Sequence, residues 1–99
     1  MITHLEDINK AFESKVRLGI MSVLMVNDEA DFNTLKELLG LTDGNLASHT
    51  RALENLKYIK AKKQFVGRKP KTTYSRTKEG EKAFQDHLQA LEAFLKNNL

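Results

Sequence analysis

DFNTLKELLGLTDGNLASHTRALENL, residues 31–56, is the stretch on which the fold turns. Asp31 reads as the N-cap of a short helix whose apolar positions, Phe32, Leu35, Leu38 and Leu39, recur at helical spacing. Gly40 follows where a helix commonly ends in a left-handed residue. Only Leu41 then separates it from Thr42, whose hydroxyl is suited to cap a second helix, and Asp43 complements the dipole of its first turn. That second helix is expected to reach Asn55 or Leu56, with Leu46, Thr50 and Leu53 facing inward. Two helices joined by so tight a turn outline a helix-turn-helix over about residues 31–56.

Downstream the period changes. From Tyr58 to Val66 the residues Ile59, Ala61 and Phe65 alternate on one face, interrupted by Lys63. Residues 67–71, with the chain's single proline and a glycine, read as a turn, and residues 72–76 are rich in β-branched and aromatic types. The three pieces predict a hairpin over about residues 58–76. Thr77 caps a last helix over about 77–97 with an apolar stripe of Phe84, Leu88, Leu91 and Leu95, widened by Ala83, Ala90 and Phe94. Upstream, Ser14 caps a helix with Val16, Ile20, Val23 and Leu24 on its apolar face. Leu5, Ile8 and Phe12 predict a further helix over about 4–13. The order of helix, helix, helix-turn-helix, hairpin and helix is an α+β, mostly α, winged helix-turn-helix. It spans residues 1–99 as one domain, with the two terminal helices expected to dimerise.

Charge is segregated. Between Asn55 and Lys78 stand nine basic residues and no acid, while the chain as a whole has 16 basic and 13 acidic residues for a net +3. The wing therefore carries the electrostatic signal for an anionic partner. The face of the second helix left outside by Leu46, Thr50 and Leu53 holds Gly44, Asn45, Ser48, His49, Arg51, Ala52 and Asn55. These are hydrogen-bonding side chains without an acid, as reading base edges requires. Arg51 suits guanine or a phosphate, Asn45 an adenine edge, and Ser48 either a base or a phosphate. Arg68, Lys69 and Lys71 crowd the hairpin tip, where arginine suits a narrow minor groove and lysine suits phosphate. Thr42, Lys62 and Arg76 are further candidates for phosphate contacts.

Other chemistry finds no support. His4, His49 and His87 are scattered, cysteine is absent, and no metal site or cofactor is expected. Ser48 and His49 are helix neighbours pointing about 100° apart, so they make no nucleophile–base pair, and no enzyme is expected. The longest apolar run, Leu18 to Val26, is too short for a membrane span. Without cysteine or a secretion-type N-terminus, a cytoplasmic location is the expectation. The last helix's stripe outruns what one small core covers. Leu5, Ile8, Phe12, Phe84, Leu88, Leu91 and Leu95 are thus the expected homodimer interface.

From about Val16 to Leu95 the chain resembles the short single-domain winged-helix regulators related to the MarR and ArsR families. The likeness rests on Val16-Arg17-Leu18-Gly19-Ile20, Asp31-Phe32-Asn33-Thr34-Leu35-Lys36 and Leu41-Thr42-Asp43-Gly44-Asn45-Leu46. It continues through Gly67-Arg68-Lys69-Pro70-Lys71-Thr72-Thr73-Tyr74 and Thr77-Lys78-Glu79-Gly80. The resemblance implies a prokaryotic transcriptional regulator that binds double-stranded DNA as a homodimer. It also implies contacts from Asn45, Ser48, His49 and Arg51 and from a wing of Arg68, Lys69 and Lys71. Arg17 matches a frequent family arginine, with a phosphate contact and a structural salt bridge both open. Two positions depart from the pattern: Lys57 stands where glycine is usual, and Arg76 where leucine is usual. Arg76 either snorkels from beneath the wing or meets a phosphate. Two other functions fit such a fold: a protein-interaction module that binds no DNA, or a sensor whose effector pocket lies at the dimer interface.

Overall fold

The computed structural model describes residues 5–97. Two 3₁₀ turns, Leu5–Asp7 and Lys10–Glu13, lead into α1 (Lys15–Val26), β1 (Ala30–Asp31), α2 (Phe32–Leu39) and α3 (Asp43–Asn55). The hairpin strands β2 (Ile59–Val66) and β3 (Lys69–Arg76) and the long α4 (Lys78–Asn97) complete the chain. The strands form an antiparallel sheet in the order β1-β3-β2. This is the expected winged helix-turn-helix.

The caps are where the side chains predict them. Ser14, Asp31 and Thr42 each accept a backbone N–H of the following turn, from Arg17, Thr34 and Asn45 respectively. Thr77 does the same for Gly80, at 2.9 Å. Ile20, Met21, Leu24, Leu35, Leu46 and Leu53 are wholly buried where α1, α2 and α3 meet, and Ile59, Tyr74 and Phe84 extend this core to the sheet and α4.

α2 and α3 end alike. The Leu41 and Gly40 N–H groups donate back to Lys36 and Glu37, and those of Tyr58 and Lys57 donate back to Leu53 and Glu54. Each pair is a Schellman end that requires a left-handed residue. Gly40 supplies it at φ 64 and Lys57 at φ 67. A lysine thus holds the left-handed position at which the resemblance led one to expect glycine.

The predicted helix over 4–13 is not formed, and its first residue, His4, lies outside the described residues. Asn9 interrupts it in an extended conformation (φ −67, ψ 119). Three bonds draw Asn9 out of a helix. Its backbone N–H donates to His87 Nδ1 (3.2 Å), its Nδ2 to the Tyr58 hydroxyl (3.1 Å), and its Oδ1 accepts from the Ala11 N–H (2.9 Å). Phe12 then enters the core, edge-on to Phe84 at 5.2 Å and stacked on Tyr58 at 5.8 Å. Expected on a dimer face, Phe12 and Phe84 are instead 3% and 5% exposed within the single chain.

α4 is seated by its first turn. The Thr77 hydroxyl donates to the Lys57 carbonyl (2.6 Å), and the Thr77 N–H donates to the Tyr58 carbonyl (3.0 Å). Gly80 is needed there because any Cβ would overlap the Tyr58 carbonyl. Beyond His87 no described residue of α4 is buried.

Candidate nucleic-acid interface

The packing of α3 divides its surface. With Leu46, Thr50 and Leu53 buried, Asn45, Ser48 and Arg51 are exposed on the outward side. Thr42 is exposed at the start of the helix, its hydroxyl accepting from the Asn45 N–H at 3.2 Å. Asp43 is neutralised by Lys36 of α2 at 2.8 Å. The helix N-terminus thus presents backbone N–H groups and polar side chains with its one carboxylate paired.

His49 sits apart from that outward group, on the flank facing α1. It is half-buried, and its Nδ1 accepts a hydrogen bond from Arg17 Nε at 3.1 Å. Burial, and then the neighbouring Arg17 charge, hold its pKa below the ordinary value. With Nδ1 accepting, the neutral ring carries its proton on Nε2. Arg17, whose role the sequence left open, therefore positions a histidine of α3.

The wing is tighter than its sequence suggests. The turn narrows to Gly67 and Arg68, with Lys69, Pro70 and Lys71 taken into β3. Gly67 adopts φ 65, as two-residue turns with glycine first require. The register of Ile59 with Arg76, Ala61 with Tyr74, Lys63 with Thr72 and Phe65 with Pro70 sets these pairs on one face. The other face carries Lys60, Lys62, Lys69 and Lys71. Lys71 lies near Asp31, whose carboxyl is held low mainly by its bonds from Thr34, with Lys71 adding to the effect.

The first of those faces looks toward α3. Ala61, Lys63, Thr72 and Tyr74 line an open cleft of about 410 Å³ with Arg51 and Glu54 of α3. Lys63, which the sequence did not single out, is thus the strand lysine that lines this cleft with α3, while Lys62, a candidate phosphate contact, lies on the opposite face. The period-two alternation of β2 carried that signal, although Lys63 reads in the sequence as its interruption. Glu54 is an acid that borders the interface and tempers the charge of the cleft.

Arg76 does not join the basic surface. Its Nη1 donates to the carbonyls of Leu24 (2.6 Å) and Asn27 (3.3 Å), and its Nε lies 4.0 Å from Glu81. A cation at the C-terminus of α1 satisfies carbonyls that the helix leaves open. Of the two roles open to Arg76, the structure shows the one that reaches beneath the wing.

Elsewhere, a cleft of about 680 Å³ lies between the N-terminal segment and α4, bordered by Leu5, Asn9, Tyr58, Ala83, Asp86 and His87. Burial lowers the pKa of His87, whose ring is tilted against Phe12 at 5.1 Å. No described helix is long and apolar enough to cross a membrane.

Residues 16–95 match the family model described as a winged helix DNA-binding domain. The chain is 36% identical over 88 residues to an uncharacterized protein of Methanocaldococcus jannaschii, covering 89% of this chain and 96% of that one. A solved structure of a transcriptional regulator homologue from Pyrococcus horikoshii superposes with a TM-score of 0.78 at 32% identity, over 94% of this chain and 97% of that chain. The YusO protein of Bacillus subtilis shares the fold at a TM-score of 0.81 and 19% identity, over 96% of this chain and 67% of its own.

Proposed function

Because the chain belongs to the winged helix DNA-binding domain family, a family of DNA-binding proteins and not of enzymes, we propose that it is a cytoplasmic transcriptional regulator that binds double-stranded DNA as a homodimer. In this reading α3 enters the major groove. Asn45, Ser48 and Arg51 reach base edges, and His49 offers its Nε2–H from the α1 side. The wing enters the adjacent minor groove. Its two faces meet the two phosphate walls, Lys63 on one side and Lys69 and Lys71 on the other, with Arg68 at the turn. Thr42 caps α3 beside a phosphate, and Lys62 remains a more distant contact.

The observation that carries this reading is the cleft that sets Arg51 of α3 and Lys63 of the acid-free wing against one another. If about five cations per protomer neutralise phosphates, the log–log salt slope is about −4 to −5 per protomer. Titration of a short duplex of arbitrary sequence across a salt series tests it. The Arg68→Ala/Lys69→Ala variant should bind more weakly, with a slope flatter by about two. Salt-insensitive binding, or an unchanged slope in that variant, would refute it.

The homodimer is supported by α4 and the N-terminal turn, where Leu5, Leu88 and Leu95 are 70%, 46% and 61% exposed. Ile8 and Leu91 are half-buried beside them. A second reading, a sensor of a small effector, is favoured by the cleft between the N-terminal segment and α4, which is larger than so short a chain suggests.

A further inference from the structure

The wing tip is apolar as well as basic. Phe65 is 74% exposed and Val66 59%. Phe65 stands directly opposite Pro70 in the β2–β3 ladder, on the face that carries Lys63 and looks toward α3. The two-residue turn at Gly67 and Arg68 and the rigid proline ring hold this pair at a fixed place beside the tip.

What surrounds the pair selects its occupant. Lys63, Arg68, Lys69 and Lys71 lie within the same few residues, and no carboxylate stands along the chain between Asn55 and Lys78. The acid beside them in space, Asp31 next to Lys71, leaves an excess of positive charge. A second copy would bring the same cations against them. A partner that is anionic outside and apolar within satisfies both features. The minor groove is such a surface, with phosphate walls and a lining of sugars and stacked bases.

Building on the DNA-binding reading, we propose that Phe65, backed by Pro70, is an apolar wedge. It presses on the sugars and a base step of the minor groove and bends the duplex while Arg68 and Lys69 hold the phosphates. Cations supply salt-dependent affinity, whereas the wedge supplies a contact that salt does not screen.

The two contributions separate experimentally. Phe65→Ala should lower affinity for an arbitrary duplex about tenfold, the lower end of what burying a phenylalanine side chain contributes, without changing the log–log salt slope. It should also reduce the bend read by fluorescence energy transfer between dyes on the duplex ends. Since Phe65 is exposed, the variant should melt at the wild-type temperature. Affinity within about twofold of wild type, or an unchanged bend, would overturn the wedge while Arg68→Ala/Lys69→Ala still flattens the slope. If that double variant also leaves binding unchanged, the DNA-binding reading itself fails. Loss of binding to phosphatidylserine-containing vesicles in Phe65→Ala, with DNA binding unaltered, would overturn the wedge in favour of a lipid surface.

Discussion

Lys57 and Arg76, the two residues that depart from the family pattern, are both explained by backbone groups. Lys57 holds a left-handed turn at φ 67, a conformation that costs an L-residue about 1–2 kcal/mol. It persists because the chain must reverse there to bring Tyr58 under Thr77 and Gly80. Arg76 reaches away from the wing and closes the end of α1. Removing a charged donor from such carbonyls costs about 1.5–3 kcal/mol. Arg76→Ala should therefore lower the denaturant midpoint by that equivalent. Its salt slope on duplex DNA should stay unchanged. A flattened slope at full stability would instead return Arg76 to the phosphate contacts. The Arg17–His49 bond, at 3.1 Å, is a second case in which a candidate DNA contact serves the arrangement of its neighbour.

Among the elements, the wing shows how strand register sorts residues that are adjacent in sequence. Lys62 and Lys63 are chemically identical neighbours, yet a period of two places them on opposite faces. Only Lys63 borders the cleft with Arg51 and Glu54. Lys63→Ala should flatten the salt slope by about one, and Lys62→Ala by distinctly less. Equal effects would show that the hairpin's charge acts diffusely, without regard to face. The N-terminal segment makes the complementary point. Leu5, Ile8 and Phe12 have helical spacing, but the bonds that Asn9 donates to His87 and Tyr58 and accepts from Ala11 outweigh the helix they predict.

At the scale of the whole molecule the chain is less compact than its length allows. Its radius of gyration is 15.0 Å and its longest extent 55 Å, against about 13 Å for a compact chain of 100 residues. α4, about 30 Å long by its residue count, contributes by running past the core with no buried residue after His87. An amphipathic helix in that position gains by pairing with a second copy, and two-fold pairing would present two α3 helices to one side of a duplex. Sedimentation of the wild type at micromolar concentration should give twice the chain mass. Leu88→Asp/Leu95→Asp should give a single chain mass and bind DNA much more weakly. A monomeric wild type would refute the dimer.

Local chemistry alone determined much of this protein. Ser14, Asp31, Thr42 and Thr77 announced their helices because a cap needs only a side chain within three residues of its N–H. Leu46, Thr50 and Leu53 announced the buried face of α3 because helical period is a local property. The acid-free run from Asn55 to Lys78 announced the basic wing for the same reason. Tertiary structure decided which neighbours in that run share a face, and that Phe12, Phe84 and Arg76 belong to the protomer's own fold. It also decided that Asn9 would break a helix and that Arg17 would hold His49. Each of these depends on a partner far along the chain, and no local pattern encodes that distance.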